Sequence, residues 1–431
     1  MKHYRISSKV LLLFSVFWVF YPPGYFVTAL NLAGILNTLK YILSIAFLAI
    51  AFIQLFRKKT KPSRLSVLIV FFYIQLLLMT ILNGGNLFDC FRYILPPIAV
   101  SFYYEYCNRV QKIRLIRALF WIHFVFMIVN LMSVIICPNG MYLVQGVTTE
   151  KYYFIGHNNA AARFLLPGVF YAIAYDYLEQ NKMGWKTLVS ATLSFLTVTL
   201  TWSNTGMVGL GLLLLSIILS TRMELPKLFT VKNVFILSAV LFFVVVVDNN
   251  VGVFDFLIEK VFHKEVTLSG RTYLWNAILN AIVKRPILGY GYGVSMGDIF
   301  TAGRYVASSG HNYFLDLLLR GGILQLVFQI LIVLEVGRIV DKSHNKLSQL
   351  MISAMLSYVI MWQFEPFVNS GYIDMMLVFM IMTTLPALID NDDQSGKKSA
   401  RNSYSERHYQ IYFEIVACIW YTTFAEVCHN E

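Results

Sequence analysis

The sequence predicts an all-α, polytopic integral membrane protein, and its composition and uncharged runs carry that prediction. Hydrophobic residues make up 58% of the 431 residues and charged residues only 13%, whereas soluble globular proteins average about 25% charged. Residues 187–221 form a run of 35 without a formal charge. A helix needs roughly 20 residues to cross the hydrocarbon core, so this run fits two short helices joined at "WSNTG", residues 202–206.

Hydropathy along the chain predicts about twelve transmembrane helices. Basic residues before the first apolar stretch also suit a signal peptide, but "YPPGY" at residues 21–25 is not a small-x-small cleavage site. We therefore expect an uncleaved first helix. The predicted spans lie near residues 10–30, 33–56, 65–82, 91–107, 118–137, 159–178, 187–202, 206–220, 233–248, 312–337, 348–366 and 372–389.

The loops between these spans divide into two sets by charge. One set, which includes both termini, holds 24 of the 35 Lys and Arg residues, and the opposite short loops hold very few. By the positive-inside rule, both termini are cytoplasmic. We expect a membrane domain over residues 1–390 and a cytoplasmic tail over residues 391–431. The net charge of +12 then reflects topology and contact with anionic membrane lipids, not nucleic-acid binding.

One connection is much longer than the others and falls on the predicted outer face. Residues 249–310 number 62, and with His311 they form the large extracytoplasmic loop at about 249–311. Long loops are largely exempt from the charge rule, so the basic residues in it do not contradict this side. A structureless loop of this length is unusual, which favours a functional role or short helices within it.

An amphipathic helix is predicted to start at Arg271 in this loop. Its apolar stripe follows the i, i+3, i+4, i+7 spacing and comprises Trp275, Ile278, Leu279 and Ile282. Ser269 offers an N-cap, and Pro286 ends the helix. We expect the helix to lie on or near the membrane surface. Arg271 extends the apolar stripe, so it either snorkels to a lipid phosphate or holds a phosphate-bearing substrate by bidentate hydrogen bonds.

Two further features of the loop carry glycine and histidine. The "GYGYG" segment, with Gly289, Gly291 and Gly293, resembles neither a channel filter nor a dinucleotide fingerprint, so we expect a tight backbone turn. His311 precedes the tenth span, where Asn312 can cap the helix. A helix N-terminus favours neutral imidazole, which a general base requires, although His311 could instead serve as a capping residue.

Charged residues also occur inside the predicted spans. Arg163 follows "GHNN" and lies about one turn inside the sixth span, where it either faces a substrate cavity or snorkels to the headgroups. We interpret His157 as a neighbour of the helix cap. Lys40 and Arg320 lie within spans, and Arg320 precedes two glycines that allow close helix approach.

The order of these motifs resembles the O-antigen ligase and Wzy-type polysaccharide polymerase superfamily. The resemblance is clearest over residues 203–335, and the upstream "GHNNAAAR" resembles a family feature as well. It rests on Ser269, Gly270, Arg271, Trp275, Pro286, Gly289, Gly291, the pair His311 and Asn312, and the pair Gly321 and Gly322.

The resemblance implies a glycosyltransferase that works at the outer leaflet of the bacterial cytoplasmic membrane without nucleotide sugar, metal or other cofactor. Its donor would be an oligosaccharide on undecaprenyl diphosphate. Arg163 and Arg271 would bind the diphosphate and His311 would act as base, while Trp275, Gly289, Gly291, Gly293 and Asn312 shape the site. A flippase and chain-length regulators are the implied protein partners.

The chain departs from the ligase pattern after His311, where Gln325 stands in place of the second glycine of G-x-x-G. This departure favours a polymerase of capsule, exopolysaccharide or O-antigen type over a ligase that moves finished glycan to another acceptor. A lipid-linked oligosaccharide flippase is the alternative from a different class, since twelve spans suit a transporter. Against a flippase, Arg271 and His311 lie in the outer loop and not at the bilayer midplane.

Overall fold

The computed structural model describes residues 8–58, 61–144, 147–223, 226–247, 271–293, 309–368 and 372–394. Each predicted span coincides with helical structure. The α-helices are α1 (Ser8–Phe17), α2 (Ala33–Lys58), α3 (Arg64–Leu82), α4 (Leu87–Tyr106), α5 (Arg109–Ile136), α6 (Asn158–Gln180), α7 (Trp185–Leu200), α8 (Asn204–Arg222), α9 (Val231–Phe242), α10 (Arg271–Lys284), α11 (Tyr313–Val340), α12 (Lys346–Trp362) and α13 (Tyr372–Gln394).

Six helices of the described chain are long and apolar enough to cross a membrane, which agrees with a helical, multi-pass membrane protein. They lie in α2, α3, α5, α8, α11 and α13. Shorter apolar helices occur at Ser8–Phe20 and Val231–Val247, and the second ends in a π-helical turn, Phe243–Val247. The total of twelve spans, the sides of the loops and the cytoplasmic tail over 391–431 stay predictions.

The chain divides into two compact units. Unit 1 comprises Met1–Thr38, Cys107–Thr201 and Thr384–Glu431. In it α5, α6 and α7 pack against one another and α1 packs against α5. The α6 helix is buried along most of its length, with Leu165, Leu166, Phe170 and Ile173 at 0% exposure. This near-complete burial explains why apolar residues occur on every side of α6.

A β-hairpin in unit 1 is a feature that the sequence did not lead us to predict. Strands β1 (Tyr142–Val144) and β2 (Val147–Tyr152) pair antiparallel, with Tyr142 opposite Tyr152. The hairpin is short and follows an apolar helix directly, so its Val, Thr and Tyr residues give too few alternating positions for a period-2 pattern. It brings Glu150 to the N-terminal end of α6, where the carboxylate contacts His157.

Unit 2 comprises Leu39–Tyr106 and Trp202–Thr383, and it contains the described part of the predicted outer loop. Helix α11 packs against α3, α9 and α10, and α12 packs against α8 and α9. The turn predicted at residues 202–206 is present, since α7 ends at Leu200 and α8 begins at Asn204. Helix α11 therefore contacts α10, which begins at Arg271, and its own N-terminal end follows His311 directly.

Candidate functional site

Helix α10 forms as predicted, and its apolar stripe packs against protein. It begins at Arg271 and ends at Lys284, two residues before Pro286. Trp275 and Ile278 are fully buried in a cluster with Leu315 and Leu319 of α11 and with Val245 and Val246. The expected N-cap, Ser269, lies outside the described residues. Unit 2 itself covers this stripe, and the position of α10 relative to the membrane surface stays a prediction.

Arg271 reaches into unit 2 from the first turn of α10. Its Nη1 donates a hydrogen bond of 3.0 Å to the backbone carbonyl of Phe364. Burial lowers the pKa of the Arg271 guanidinium, and the carboxylate of Glu365 opposes that shift. Glu365 is itself only 3% exposed. Arg271 in this structure thus bridges α10 to the loop after α12 and does not snorkel to a lipid headgroup.

The backbone on either side of His311 is held by hydrogen bonds. Trp275 Nε1 donates to the Gly310 carbonyl at 2.9 Å, and the Gly310 N–H donates to Asp316 Oδ1 at 2.8 Å. The predicted N-cap is confirmed, because the Leu315 N–H donates to Asn312 Oδ1 at 3.0 Å. These bonds fix His311 between two anchored neighbours.

His311 has a backbone conformation that side-chain-bearing residues rarely adopt. Its φ is +49°, in the left-handed region, and its side chain is half-buried. Such strain persists only where the surroundings enforce it, and it is concentrated at functional sites. The hydrogen bonds to Gly310 and Asn312 are the enforcing contacts here.

The loop at residues 363–365 ties these elements together. The Asn312 Nδ2 donates to the Gln363 carbonyl at 3.0 Å, while Arg271 uses the next carbonyl along the chain, that of Phe364. The Gln363 side chain donates to Ser238 Oγ of α9 at 2.9 Å. Consecutive carbonyls of one loop therefore anchor Arg271 and Asn312. Within unit 2, this loop joins the start of α10 to the segment that contains His311.

Sequence reasoning missed this loop because its contribution is made mainly by backbone carbonyls. The available signal was the polar "QFEP" between two apolar spans, where Glu365 precedes Pro366. A carboxylate in such a position needs a partner when it is buried. That requirement would have pointed to a nearby cation, and Arg271 lies within electrostatic range of Glu365.

The "GYGYG" segment forms the predicted tight turn. All three of its glycines have positive φ, at +63° for Gly289, +82° for Gly291 and +78° for Gly293. Its N–H groups bond to unit 2, from Tyr290 to Leu319 O at 2.8 Å and from Gly291 to Arg320 O at 2.7 Å. The segment therefore docks on α11 through its backbone.

This docking coincides with a break in α11. Gly322 is non-helical, with φ of +66° and ψ of −163°, which leaves nearby backbone groups without their helical partners. The Gly321 carbonyl instead accepts from Gln75 Nε2 of α3 at 2.7 Å, and the Ile323 N–H donates to Pro286 O at 2.8 Å. Gly321 thus allows close approach of α3, as predicted, whereas the break at Gly322 was not foreseen.

Arg163 lies in unit 1, in the second turn of α6. Its positive charge lowers the pKa of His157, although burial of the imidazole has the larger effect and Glu150 acts in the opposite direction. His157 occupies the N-cap position without a side-chain cap bond, and its Nε2 lies 3.4 Å from Glu150 Oε2. Arg163 and the Arg271–His311 region belong to different units, so their convergence in one cavity stays a prediction.

Among the described residues, no group of three or more His, Cys, Asp or Glu side chains is placed to hold a metal ion.

The family model described as O-antigen ligase matches residues 189–330, a segment that extends from α7 to the middle of α11. It includes Arg271, the "GYGYG" turn, His311 and the break at Gly322. No curated protein matches the chain. The resemblance predicted from the sequence is confirmed over residues 189–330, and this part of the multi-pass membrane protein is similar to the O-antigen ligase family.

Proposed function

We propose that this protein is a membrane polysaccharide polymerase. It transfers a growing glycan from undecaprenyl diphosphate onto an incoming lipid-linked repeat unit at the outer face of the bacterial cytoplasmic membrane. The observation that carries the proposal is the anchoring of Arg271 and Asn312, next to His311, on consecutive carbonyls within the segment that matches the family. A cationic group and an imidazole on one scaffold are what transfer from a lipid diphosphate requires.

In the proposed reaction, His311 removes the proton from the attacking hydroxyl of the acceptor sugar. The hydroxyl oxygen bonds to the anomeric carbon of the donor, and the bond from that carbon to the diphosphate oxygen breaks. The electron pair goes to the leaving diphosphate. Arg271 and Arg163 stabilise the negative charge that develops on it, which in other enzymes is worth about 10²–10³ in rate for each donor lost.

Counted against the described residues alone, the Arg271 guanidinium has N–H donors to spare for this role. A guanidinium carries five N–H donors, and the contact with Phe364 uses one of them. The neighbouring Glu365 compensates the buried charge while no diphosphate is bound. We infer that Glu365 offsets the cost of burying the Arg271 charge at the site.

The preference for a polymerase over a ligase rests on Gln325. This side chain is 2% exposed and lies against Gly321, beside the break in α11. A glycine at position 325, as in the G-x-x-G of ligases, would leave that space to the backbone or to substrate. The site near the break is therefore narrower than a ligase pattern predicts.

The test is to incubate the purified full-length protein with one lipid-linked repeat unit and no other acceptor. A polymerase makes a ladder of products from this single substrate. A ligase makes none until its own acceptor is added, and that result would replace the polymerase proposal. A flippase moves the intact lipid across vesicles and forms no new glycosidic bond.

A further inference from the structure

A lysine inside an apolar helix is unexplained by the proposed site. Lys40 lies in α2, seven residues and therefore about 10 Å from its first residue. Its ammonium lies 5.5 Å from the centroid of the Tyr41 ring. Within the described parts of the chain, Lys40 forms no ion pair. A charge at this depth is costly and normally marks a partner or an ion pathway.

A second cation contacts the same tyrosine. Arg92 of α4 donates from Nε to the Tyr41 hydroxyl at 3.2 Å, and its Cζ lies 5.4 Å from the centre of that ring. Its carboxylate partner is Asp89, at 3.3 Å, and both side chains are well exposed, at 39% and 46%. Tyr41 thus contacts two cations, and one of them, Arg92, is paired with the Asp89 carboxylate. The group keeps an excess positive charge that can bind an anionic ligand.

Beside this pair stands a stack of three tyrosines from three elements. The Tyr93 ring of α4 lies 4.7 Å from Tyr292 of the "GYGYG" segment and 4.5 Å from Tyr372 of α13, centroid to centroid. Burial raises the pKa of Tyr292, Arg320 lowers it, and Asp89 and Tyr41 raise it further, so Tyr292 lies within electrostatic range of Asp89 and Tyr41. Tyr93 is buried, whereas Tyr292 and Tyr372 are partly exposed, so these two rings offer an aromatic surface with a polar end.

The stack also connects to the proposed catalytic segment. Tyr292 follows Gly291, whose N–H bonds to the Arg320 carbonyl, and the Arg320 guanidinium lies 5.4 Å from the Tyr292 ring centroid. Asn312, the cap residue beside His311, precedes Arg320 by eight residues, about 12 Å of helix. The tyrosine stack therefore contacts α11 at Arg320, about two helical turns from the cap residue beside His311.

We propose that Lys40, Tyr41 and Arg92 form a second anion site, which binds the diphosphate of the acceptor lipid-linked repeat unit while Tyr292 and Tyr372, supported by the buried Tyr93, lie against its sugars. This inference rests on the proposed polymerase function, because a polymerase joins two lipid-linked glycans and must hold two diphosphates. The two cations match the two charges of a diphosphate diester. The exposed apolar residues of α2, among them Ile42 and Ile45, offer the polyprenyl chain a surface within the bilayer.

The first experiment counts bound lipids. The full-length protein, in detergent, is equilibrated with a short-chain polyprenyl diphosphate glycan and the retained copies are counted by native mass spectrometry. We expect two copies on the unaltered protein and one on Lys40→Gln/Arg92→Gln. Lys40→Gln alone serves as a second variant with less risk to folding. Arg338→Gln, which removes an exposed cation paired with Glu335, is the matched control and keeps two copies.

The second measurement is kinetic and uses a long donor with a labelled short acceptor. Loss of charged hydrogen bonds to the acceptor phosphate raises the KM for the acceptor about tenfold to a hundredfold in Lys40→Gln/Arg92→Gln. The KM for the donor stays unchanged, because the donor binds at Arg271. An equal rise in both would contradict a dedicated acceptor site.

The outcomes separate this inference from the proposed function. Two copies retained by Lys40→Gln/Arg92→Gln would overturn the second site while leaving the polymerase intact. Displacement of the second copy by phosphatidylglycerol at equal concentration would make the cation pair a phospholipid headgroup site and would also overturn the inference. If the unaltered protein retains two copies but forms no product ladder, the polymerase function fails. The assignment of the second copy as the acceptor rests on that function and fails with it.

Discussion

His311 combines an imidazole with a backbone conformation that would suit glycine better. The left-handed region costs a side-chain-bearing residue roughly 1–2 kcal/mol, and here the bonds from Trp275 to Gly310 and from Asn312 to Gln363 hold the backbone in place. A residue whose only task was to begin a helix would gain nothing from this conformation. The strain is consistent with selection for the position of the imidazole.

This interpretation predicts that a substitution at His311 can remove activity without a loss of stability. Glycine adopts the left-handed conformation without strain. We therefore expect His311→Gly to have an equal or higher melting temperature and to lose glycosyl transfer. Asn181→Gly is the matched control, because Asn181 has a φ of +51° at the end of α6 and no proposed part in the reaction. Thermal unfolding and the transfer assay are measured on both variants. A clear drop in melting temperature for His311→Gly would contradict the account of strain.

The imidazole of His157 in unit 1 makes a pH-dependent contribution to stability. Its pKa is lowered from the ordinary value of 6.5, mainly by burial and also by Arg163. The unfolded chain therefore binds more protons than the folded chain below about pH 6.5, and stability falls as the pH decreases through that range.

We expect His157→Gln to remove this part of the pH dependence. The measurement is the difference in melting temperature between pH 7.5 and pH 5.5, which should be smaller in His157→Gln than in the unaltered protein. Identical differences in the two proteins would show that His157 is not held in a lowered-pKa environment.

Among the secondary-structure elements, the "GYGYG" turn and the broken α11 support each other. The break at Gly322 exposes backbone groups, and residues 286–291 together with Gln75 satisfy several of them. Irregular backbone at membrane depth is tolerated only where protein or a cavity covers it. The turn is therefore part of the structural support of α11, in addition to its predicted role in the site.

Two glycines of this turn give a matched pair of substitutions. Both have positive φ, but a β-carbon at Gly291 would lie 2.8 Å from Thr80 Cα, whereas at Gly293 it would meet only Asn86 Cβ at 3.9 Å. Gly291→Ala therefore carries strain and a backbone clash, which we expect to cost about 2–4 kcal/mol, against about 1–2 kcal/mol for Gly293→Ala. Thermal unfolding ranks the two. Equal effects would mean that the turn does not contact α3 at Thr80.

Most helices were predictable, because each apolar run has a length and an uncharged character that few other structures accommodate. The α10 helix was predictable from the spacing of Trp275 and Ile278. The hairpin at residues 142–152 and the break at Gly322 were not, since one is too short for a periodic pattern and the other depends on partners distant in sequence. Asn312 was predicted as a cap from its residue type, while its second bond, to Gln363, required the fold.

For the whole molecule, the sides of the membrane rest on the charge of the loops. The positive-inside rule predicts that α10 is outside and that the connection between α11 and α12 is in the cytoplasm. Tyr273 of α10 is 74% exposed and Lys342, in the connection between α11 and α12, is exposed as well, so a cysteine at either position is accessible to reagent.

In a cysteine-free background, Tyr273→Cys should react with a membrane-impermeant maleimide on intact cells. Lys342→Cys should react only after the membrane is permeabilised. The reverse pattern would place the large loop in the cytoplasm and would remove the proposed reaction from the outer leaflet.

The central claim concerns Arg271 and His311, and the most direct measurement is the single-turnover rate of glycosyl transfer by purified Arg271→Ala and His311→Ala. Each variant is supplied with saturating lipid-linked repeat unit, and size-exclusion elution confirms folding. We predict that each rate falls by about 10²–10³ relative to the unaltered protein. Transfer at the normal rate by both folded variants would contradict the account.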